Sequence, residues 1–126
     1  MSEILFRGKR KDNGNWAEGY YLCLHQDTDT DLHIIVDEHG EYNPARPETV
    51  GEFTGLTDKN GKKIFERDII ENGHTKEKFV VIYDELYAAF AIRTAKYVRY
   101  GLSKLHGAQP KVIGNIHDNI DLLERE

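Results

Sequence analysis

Short apolar segments alternate with turn-forming residues along the whole chain. The segments are too short for helices with a buried face, and they are rich in the β-branched and aromatic residues that are typical of strands. Residues 95–106 fit either a strand or helical turns, and residues 119–123 fit one short helical turn. The predicted strands cover residues 3–9, 16–25, 32–36, 52–56, 63–65, 68–71, 78–83, 88–94 and 111–116.

The best specified turn follows Leu56 and precedes Ile64. Asp58 stands at its first position, where a carboxylate can accept hydrogen bonds from backbone amides further along the chain. Asn60 or Gly61 can adopt the left-handed conformation that most residues resist. The stretch therefore predicts a β-hairpin.

An earlier segment has the same design. Phe6, Gly8 and Asn13-Gly14 recur in order, and at the same spacing, as Phe53, Gly55 and Asn60-Gly61. Two copies are too few for a repeat architecture, which needs at least three stacked units. We favour independent convergence on good turn chemistry over duplication of an ancestral hairpin.

Many short strands with regular turn signals indicate an antiparallel all-β protein. We therefore predict a mainly β fold, a small antiparallel barrel or sandwich built from hairpins, with one or two short helical turns near the C-terminus. The length of 126 residues suits a single domain over 1–126. Strand tyrosines are expected in the core rather than on a stacking platform: Tyr20, Tyr21, Tyr97 and Tyr100.

Composition indicates the cellular compartment and the kinds of partner that the protein can have. The net charge of −5 opposes non-specific attraction to nucleic-acid phosphates. Cys23 is the only cysteine, so no internal disulfide is possible, and it is expected to be packed and inert. The N-terminus lacks the apolar core of a secretory signal, and no apolar run is long enough to span a membrane. We expect a cytosolic protein without a membrane partner.

Three blocks carry a family resemblance: FRGKRKDNGNW at 6–16, PETVGEFTGLTDKNGKKIFERDII at 47–70, and VIGNIHDNIDLLE at 112–124. With these blocks the chain resembles the YopX family of phage and prophage proteins. The resemblance implies a small, mostly β protein that acts in the bacterial cytoplasm and self-associates. It assigns no activity and no catalytic residues. In similar proteins a glycine usually follows the position of Glu66, whereas this chain has Arg67.

An acidic segment has part of the spacing of a calcium loop. Asp27, Asp29 and Asp31, with Glu38, occupy positions 1, 3, 5 and 12 of such a loop. Leu32 stands where the loop requires glycine, and strands rather than helices are predicted on both sides. The alternative is a solvated acidic loop, and no metal site or cofactor is predicted. The six histidines also lack the close pairing of zinc ligands.

Two polar clusters could carry catalysis. On an alternating strand Glu66 and Asp68 would share one face and Arg67 would lie on the other, so the two carboxylates could hold a divalent ion. His117 and Asp118, near Asn115 and Asp121, could supply a general base. Each cluster also has a structural interpretation. The first is typical of the wet face of a strand, and the second of a turn that caps the C-terminal helix.

The two hairpins are basic, and their cations would form one surface if the hairpins lay side by side. Lysines at hairpin tips also prevent sheets from pairing with other chains. The sequence thus favours a non-enzymatic binding or oligomerisation module with a protein or nucleic-acid partner, and the alternative is a metal-assisted hydrolase or nuclease-like enzyme. The candidate binding residues are Arg7, Lys9, Arg10, Lys11, Lys59, Lys62 and Lys63.

Overall fold

The computed structural model describes residues 4–25, 30–94, 99–105 and 107–124. This part of the chain is mainly β, with strands β1 to β11, two 3-10 turns and one helix, α1. The strands are Phe6–Lys9, Trp16–Leu24, Leu32–Val36, Tyr42–Pro44, Gly51–Thr57, Lys63–Phe65, Asp68–Glu71, Lys78–Asp84, Ala89–Arg93, Arg99–Gly101 and Lys111–Asn115. The 3-10 turns are Pro47–Thr49 and Leu102–Leu105, and α1 is Asp121–Glu124.

The chain divides into two compact units, the first ending at Phe53 and the second beginning at Thr54. The first unit is an antiparallel sheet in the order β4-β3-β2-β1-β5, in which the first residues of β5 pair with β1. Its buried face contains Ile35, Asn43 and Ala45. Gly8 lies against Ala45 on that face, where a larger side chain would not fit without a shift.

The second unit contains a five-stranded antiparallel sheet in the order β10-β9-β8-β7-β11, and β6 pairs with the later part of β5. Its core lies on one face of this sheet, where β-branched and aromatic side chains pack together. A break in register between Val112 and Gly114 interrupts the pairing of β11 with β7. The core residues are Ile64, Ile70, Phe79, Val81, Ile92, Leu102, Leu105 and Val112.

The mainly β prediction is confirmed, as are the strands at 32–36, 63–65 and 68–71. Neither sheet is closed into a barrel in the described part of the chain. Gly14 and Gly61 both lie in turns with positive φ, as the hairpin prediction requires. One short strand, Tyr42–Pro44, is not predicted from sequence, because Gly40, Pro44 and Pro47 indicate a loop. The prediction of one domain stays a prediction.

The undecided segment 95–106 contains both alternatives. Arg99–Gly101 is a strand and Leu102–Leu105 is a 3-10 turn, while residues 95–98 and 106 lie outside the described residues. The predicted helical turn at 119–123 is present as α1, two residues later. No helix among the described residues is long and apolar enough to cross a lipid bilayer.

Candidate functional site

The turn between β5 and β6 is built around a buried carboxylate, as the sequence predicts. Asp58 Oδ1 accepts hydrogen bonds from the backbone N–H groups of Asn60 and Lys62, at 2.8 and 2.9 Å. Gly61 N–H donates to the Asp58 carbonyl, and Gly61 has a φ of 81°. Asp58 Oδ2 accepts from the backbone N–H of Val112 at 3.0 Å, which ties the turn to the start of β11.

The turn between β3 and β4 repeats this arrangement. Asp37 Oδ1 accepts hydrogen bonds from the backbone N–H groups of His39 and Glu41, at 2.9 and 3.0 Å. Gly40 N–H donates to the Asp37 carbonyl, and Gly40 has a φ of 78°. We call residues 37–41 the acidic turn and residues 58–62 the basic turn. Both follow the pattern Asp-x-x-Gly-x, with glutamates at variable positions in the acidic turn and lysines in the basic turn.

Both aspartates keep their negative charge at neutral pH. The Asn43 carboxamide donates to Asp37 Oδ2 at 3.1 Å, and this bond, despite some desolvation, holds the pKa of Asp37 below its ordinary value. Burial alone would raise the pKa of Asp58. Three backbone N–H donors and the charge of Lys62 outweigh burial, so the pKa of Asp58 lies below its ordinary value.

Beside the acidic turn, two tyrosines stand on the solvent face of the first unit's sheet. Tyr20 on β2 pairs with Val36 on β3, and Val36 pairs with Tyr42 on β4. Directly opposed residues of antiparallel strands share one face, so these three side chains form a row. Tyr20 is 72% exposed and Tyr42 is 64% exposed. We call Tyr20, Val36 and Tyr42 the tyrosine row.

The predicted basic residues of the first unit are partly engaged within the unit. The Arg7 guanidinium lies over the Trp16 ring at 4.4 Å from the centroid, and Lys9 Nζ lies 5.6 Å from it. Arg10 binds Asp12 through two hydrogen bonds of 3.2 and 3.1 Å, which lowers the pKa of Asp12. Lys11 is exposed.

In the second unit, Lys59, Lys62 and Lys63 are all exposed, the first two within the basic turn and the third at the start of β6. The positive charge of Lys62 acts on Asp58, whose carboxylate is buried and hydrogen-bonded. That the cations of the two units form a single surface stays a prediction. The shared design predicted for the hairpins at Gly14 and Gly61 is not found. Gly14 N–H donates to the Arg10 carbonyl, and Asn13 accepts from Asn15 N–H, without the aspartate bonds of the basic turn.

Glu66, Arg67 and Asp68 do not alternate along one strand, as the candidate carboxylate pair requires. Glu66 and Arg67 make the turn between β6 and β7, and Arg67 has a positive φ of 71°. Arg67 lies 3.7 Å from the Glu66 carboxylate instead of facing away from it. Asp68 is 1% exposed, and its Oδ2 accepts the backbone N–H of Phe65 at 2.8 Å. The two carboxylates therefore do not form a pair on one strand face.

The cluster at the end of β11 is organised around Asn115. Its Oδ1 accepts the backbone N–H groups of His117 and Asp118, both at 3.0 Å, and its Nδ2 donates to Asp118 Oδ2 at 3.1 Å. The Asn119 carboxamide accepts the backbone N–H of Asn115 at 3.2 Å. These contacts are those of a hydrogen-bonded turn that leads into α1.

Of the suggested calcium loop, Asp27 and Asp29 lie outside the described residues. Asp31 accepts a hydrogen bond from His25 Nδ1 at 2.9 Å, just before β3. Glu38 lies in the acidic turn beyond the other end of β3, roughly 20 Å further along an extended chain. Asp31 and Glu38 thus cannot bind one ion. The described residues contain no group of three histidines, cysteines or carboxylates arranged for a metal.

The second unit also has a cleft of about 400 Å³. Its walls are mostly apolar, and the one carboxylate that lines it, Asp58, is already bound to backbone amides. The cleft therefore offers an apolar surface rather than an acid–base pair. Its lining residues are Leu56, Thr57, Asp58, Lys59, Ile64, Leu102, Leu105, Gly107, Gln109 and Pro110.

A family model described as YopX protein matches residues 5–124, which is almost the whole chain. The chain belongs to the YopX family. The fold is similar to the crystal structure of protein EF1440 from Enterococcus faecalis, with a TM-score of 0.61 and 23% identity. That similarity covers 98% of this chain and 99% of the other. No curated protein shows significant sequence similarity to this YopX protein.

The tyrosine row of this YopX protein is not predicted from sequence, because strand tyrosines are assigned there to the core. That assignment is wrong for Tyr20 and also for Tyr100, which is exposed. Tyr21 is half-buried, with its ring stacked on His33 and its hydroxyl hydrogen-bonded to His33 Nδ1. Tyr97 lies outside the described residues. The repeated Asp-x-x-Gly pattern is the sequence signal that could have located the acidic turn beside the row.

Proposed function

We propose that this YopX protein is a non-enzymatic binding module of phage or prophage origin, that it acts in the bacterial cytoplasm, and that it also self-associates. The observation that carries the proposal is the exposure of Tyr20 and Tyr42 on one face of the first unit's sheet. Membership of the YopX family supports the phage or prophage origin. The tyrosine row is the surface that we propose for binding.

The chemistry of the row suits a protein partner. Tyrosine offers a large apolar ring and a polar hydroxyl, loses little conformational entropy on binding, and is enriched among the residues that dominate interface energies. The two exposed rings flank Val36, so the row combines an aliphatic centre with aromatic sides. Such a surface can bury apolar area while its hydroxyls hydrogen-bond at the rim.

Charge favours a protein over duplex nucleic acid. Phosphate binding needs several cations that are available to displace counterions. Next to the row, the acidic turn carries Asp37, Glu38 and Glu41 instead. In the turn between β1 and β2, the cation Arg10 is already paired with Asp12.

The carboxylates proposed for catalysis have structural partners, which supports binding over hydrolysis. Asp68 accepts the Phe65 amide, and Asp118 accepts the Asn115 carboxamide. A general base or metal ligand needs lone pairs directed at a substrate or an ion. The contacts of these two residues direct lone pairs at the protein's own turns.

The experiment is affinity capture with matched variants. Wild-type protein, the double variant Tyr20→Ser/Tyr42→Ser and the control Tyr87→Ser are immobilised and exposed to lysate of phage-infected bacteria. The control removes another strongly exposed tyrosine, 76% exposed, from the hairpin between β8 and β9. Labelled single- and double-stranded oligonucleotides are tested separately across a salt series.

The proposal expects a bacterial or phage protein that the wild type and Tyr87→Ser retain and the double variant loses. Equal retention by all three proteins would contradict a role for the tyrosine row. Retention of oligonucleotides at low salt, with no protein captured, would replace the protein partner by a nucleic acid.

A further inference from the structure

The acidic and basic turns are two rigid surfaces of opposite charge built on the same backbone design. In each, an aspartate accepts the N–H groups two and four residues ahead, and a glycine with positive φ closes the turn. Because these bonds fix the backbone before any contact forms, little entropy is lost when the turns bind. The side chains that differ between them are therefore displayed in comparable positions.

The displayed side chains are complementary. The acidic turn exposes Glu38 and Glu41, and the basic turn exposes Lys59 and Lys62. Lys63 adds a third exposed cation directly after the basic turn. Opposite charges across an interface steer association and select the correct partner.

The tyrosine row adds a second attraction at the acidic turn. Tyr42 directly follows Glu41, and Val36 directly precedes Asp37, so the row meets the turn at the end of the β3–β4 hairpin. A lysine ammonium can lie over a tyrosine ring while it pairs with a neighbouring carboxylate. The first unit already uses cation–ring contacts at Trp16.

We propose that the occupant of the acidic turn and tyrosine row is the basic turn of a second copy of this chain. This inference rests on the proposed function, because it names one partner of the tyrosine row. The two surfaces differ, so the contact is heterologous and leads to a ring or an open chain of copies. Two hairpin turns bury less area than a standard stable interface, so we expect a weak contact that forms only at high protein concentration.

The test is charge reversal followed by mixing. One variant carries Glu38→Lys and Glu41→Lys, and the other carries Lys59→Glu and Lys62→Glu. Asp37 and Asp58 are left unchanged because they hold the turns. Mass is measured by sedimentation and by light scattering up to millimolar protein, and thermal unfolding shows that each variant is folded.

We expect the wild type to exceed its monomer mass of 14.5 kDa as concentration rises. Raising salt from about 0.05 to about 0.5 M should weaken association roughly tenfold, because exposed charges are screened. Each variant alone should stay monomeric, since its two turns now have the same charge. An equimolar mixture should associate again.

A monomeric wild type at millimolar concentration would overturn the inference, as would association of both variants alone or a mixture that stays monomeric. The binding part of the proposed function is tested separately. The Lys59→Glu/Lys62→Glu variant keeps the tyrosine row, so it should still capture a foreign partner in the affinity experiment. If this variant captured a foreign partner and the wild type stayed monomeric, the result would support binding and contradict self-association.

Discussion

Asp37 and Asp58 hold two different hairpin turns through the same set of hydrogen bonds. Each carboxylate accepts the backbone N–H groups two and four residues ahead, and each is followed at the third position by a glycine of positive φ. These bonds satisfy amides that a tight turn would otherwise leave unpaired. The two aspartates therefore stabilise turns, and the variable residues of each turn are available for recognition.

Replacing Asp58 should destabilise the protein more than replacing Asp37. Asp58→Ala removes the acceptor of three backbone N–H groups at a buried position, and we expect a loss of about 2–4 kcal/mol in the free energy of unfolding. Asp37→Ala should cost less, because water can replace its bonds at the more exposed turn. Urea unfolding followed by circular dichroism measures both variants.

The matched control is Lys59→Ala, which leaves the basic turn's aspartate bonds intact. Its free energy of unfolding should stay within about 0.5 kcal/mol of wild type. Equal losses for Asp58→Ala and Lys59→Ala would show that the carboxylate does not hold the turn.

Asp58 should also make stability depend on pH in the acid range. Its pKa is lower in the folded protein than its ordinary value of 3.8, so the unfolded chain binds more protons there. Stability from Asp58 is therefore fully present above about pH 4–5 and is lost as the pH falls through the lowered pKa. Urea unfolding from pH 7 to about pH 2.5 should show this loss.

Asp58→Asn supplies the comparison for that pH series. The amide keeps one carbonyl acceptor but cannot titrate, so the variant should be less stable at pH 7 and should show a shallower loss in acid. If the two proteins lost stability in parallel over the acid part of the series, the titration would belong to other carboxylates.

The sequence predicts those features that follow from local chemistry. The turn at Asp58 and Gly61 is found because one side chain and one left-handed residue determine it. Strand alternation also places Tyr20 and Tyr21 on opposite faces. It does not say which face is covered, since that depends on the rest of the sheet, and so the exposure of Tyr20 is not predicted.

Two other differences between prediction and structure have equally specific causes. The turn at Arg67 lacks glycine, so nothing in this chain marks a left-handed residue there, and Glu66 and Asp68 are expected to share one strand face. β4 is not predicted from the sequence because it contains Pro44. Proline lacks a backbone N–H, so it is a poor strand residue except where that N–H would point away from the neighbouring strand. The acidic turn has the pattern of the basic turn, but its glycine and the prolines that follow indicate only a loop.

Gly19 should be among the least replaceable residues of the first unit. A Cβ at this position would overlap the carbonyl group of Val36 on the neighbouring strand, and backbone atoms cannot move aside cheaply. We expect Gly19→Ala to cost at least about 4 kcal/mol in the free energy of unfolding, or to leave the first unit unfolded by circular dichroism.

Gly40→Ala separates steric overlap from backbone strain. Gly40 has a φ of 78°, but no atom lies within 4 Å of the place that an alanine methyl group would occupy, so only conformational strain of about 1 kcal/mol is expected. Similar losses for the two variants would mean that β2 and β3 are not as close at Gly19 as the structure has them.

Arg67 occupies a position whose backbone suits glycine. Its φ is 71°, and a left-handed conformation costs a non-glycine residue roughly 1–2 kcal/mol. Its N–H donates to the Val81 carbonyl and its carbonyl accepts from Ile116 N–H, so neighbouring strands fix this conformation.

Arg67→Gly should therefore be more stable than Arg67→Ala by about 1 kcal/mol. Comparing these two variants isolates the backbone effect, because both lose the arginine side chain and its 3.7 Å ion pair with Glu66. Urea unfolding at pH 7 measures the difference. If Arg67→Ala matched or exceeded Arg67→Gly, the backbone at this turn would not be left-handed in solution, and the separation of Glu66 from Asp68 would lose its structural basis.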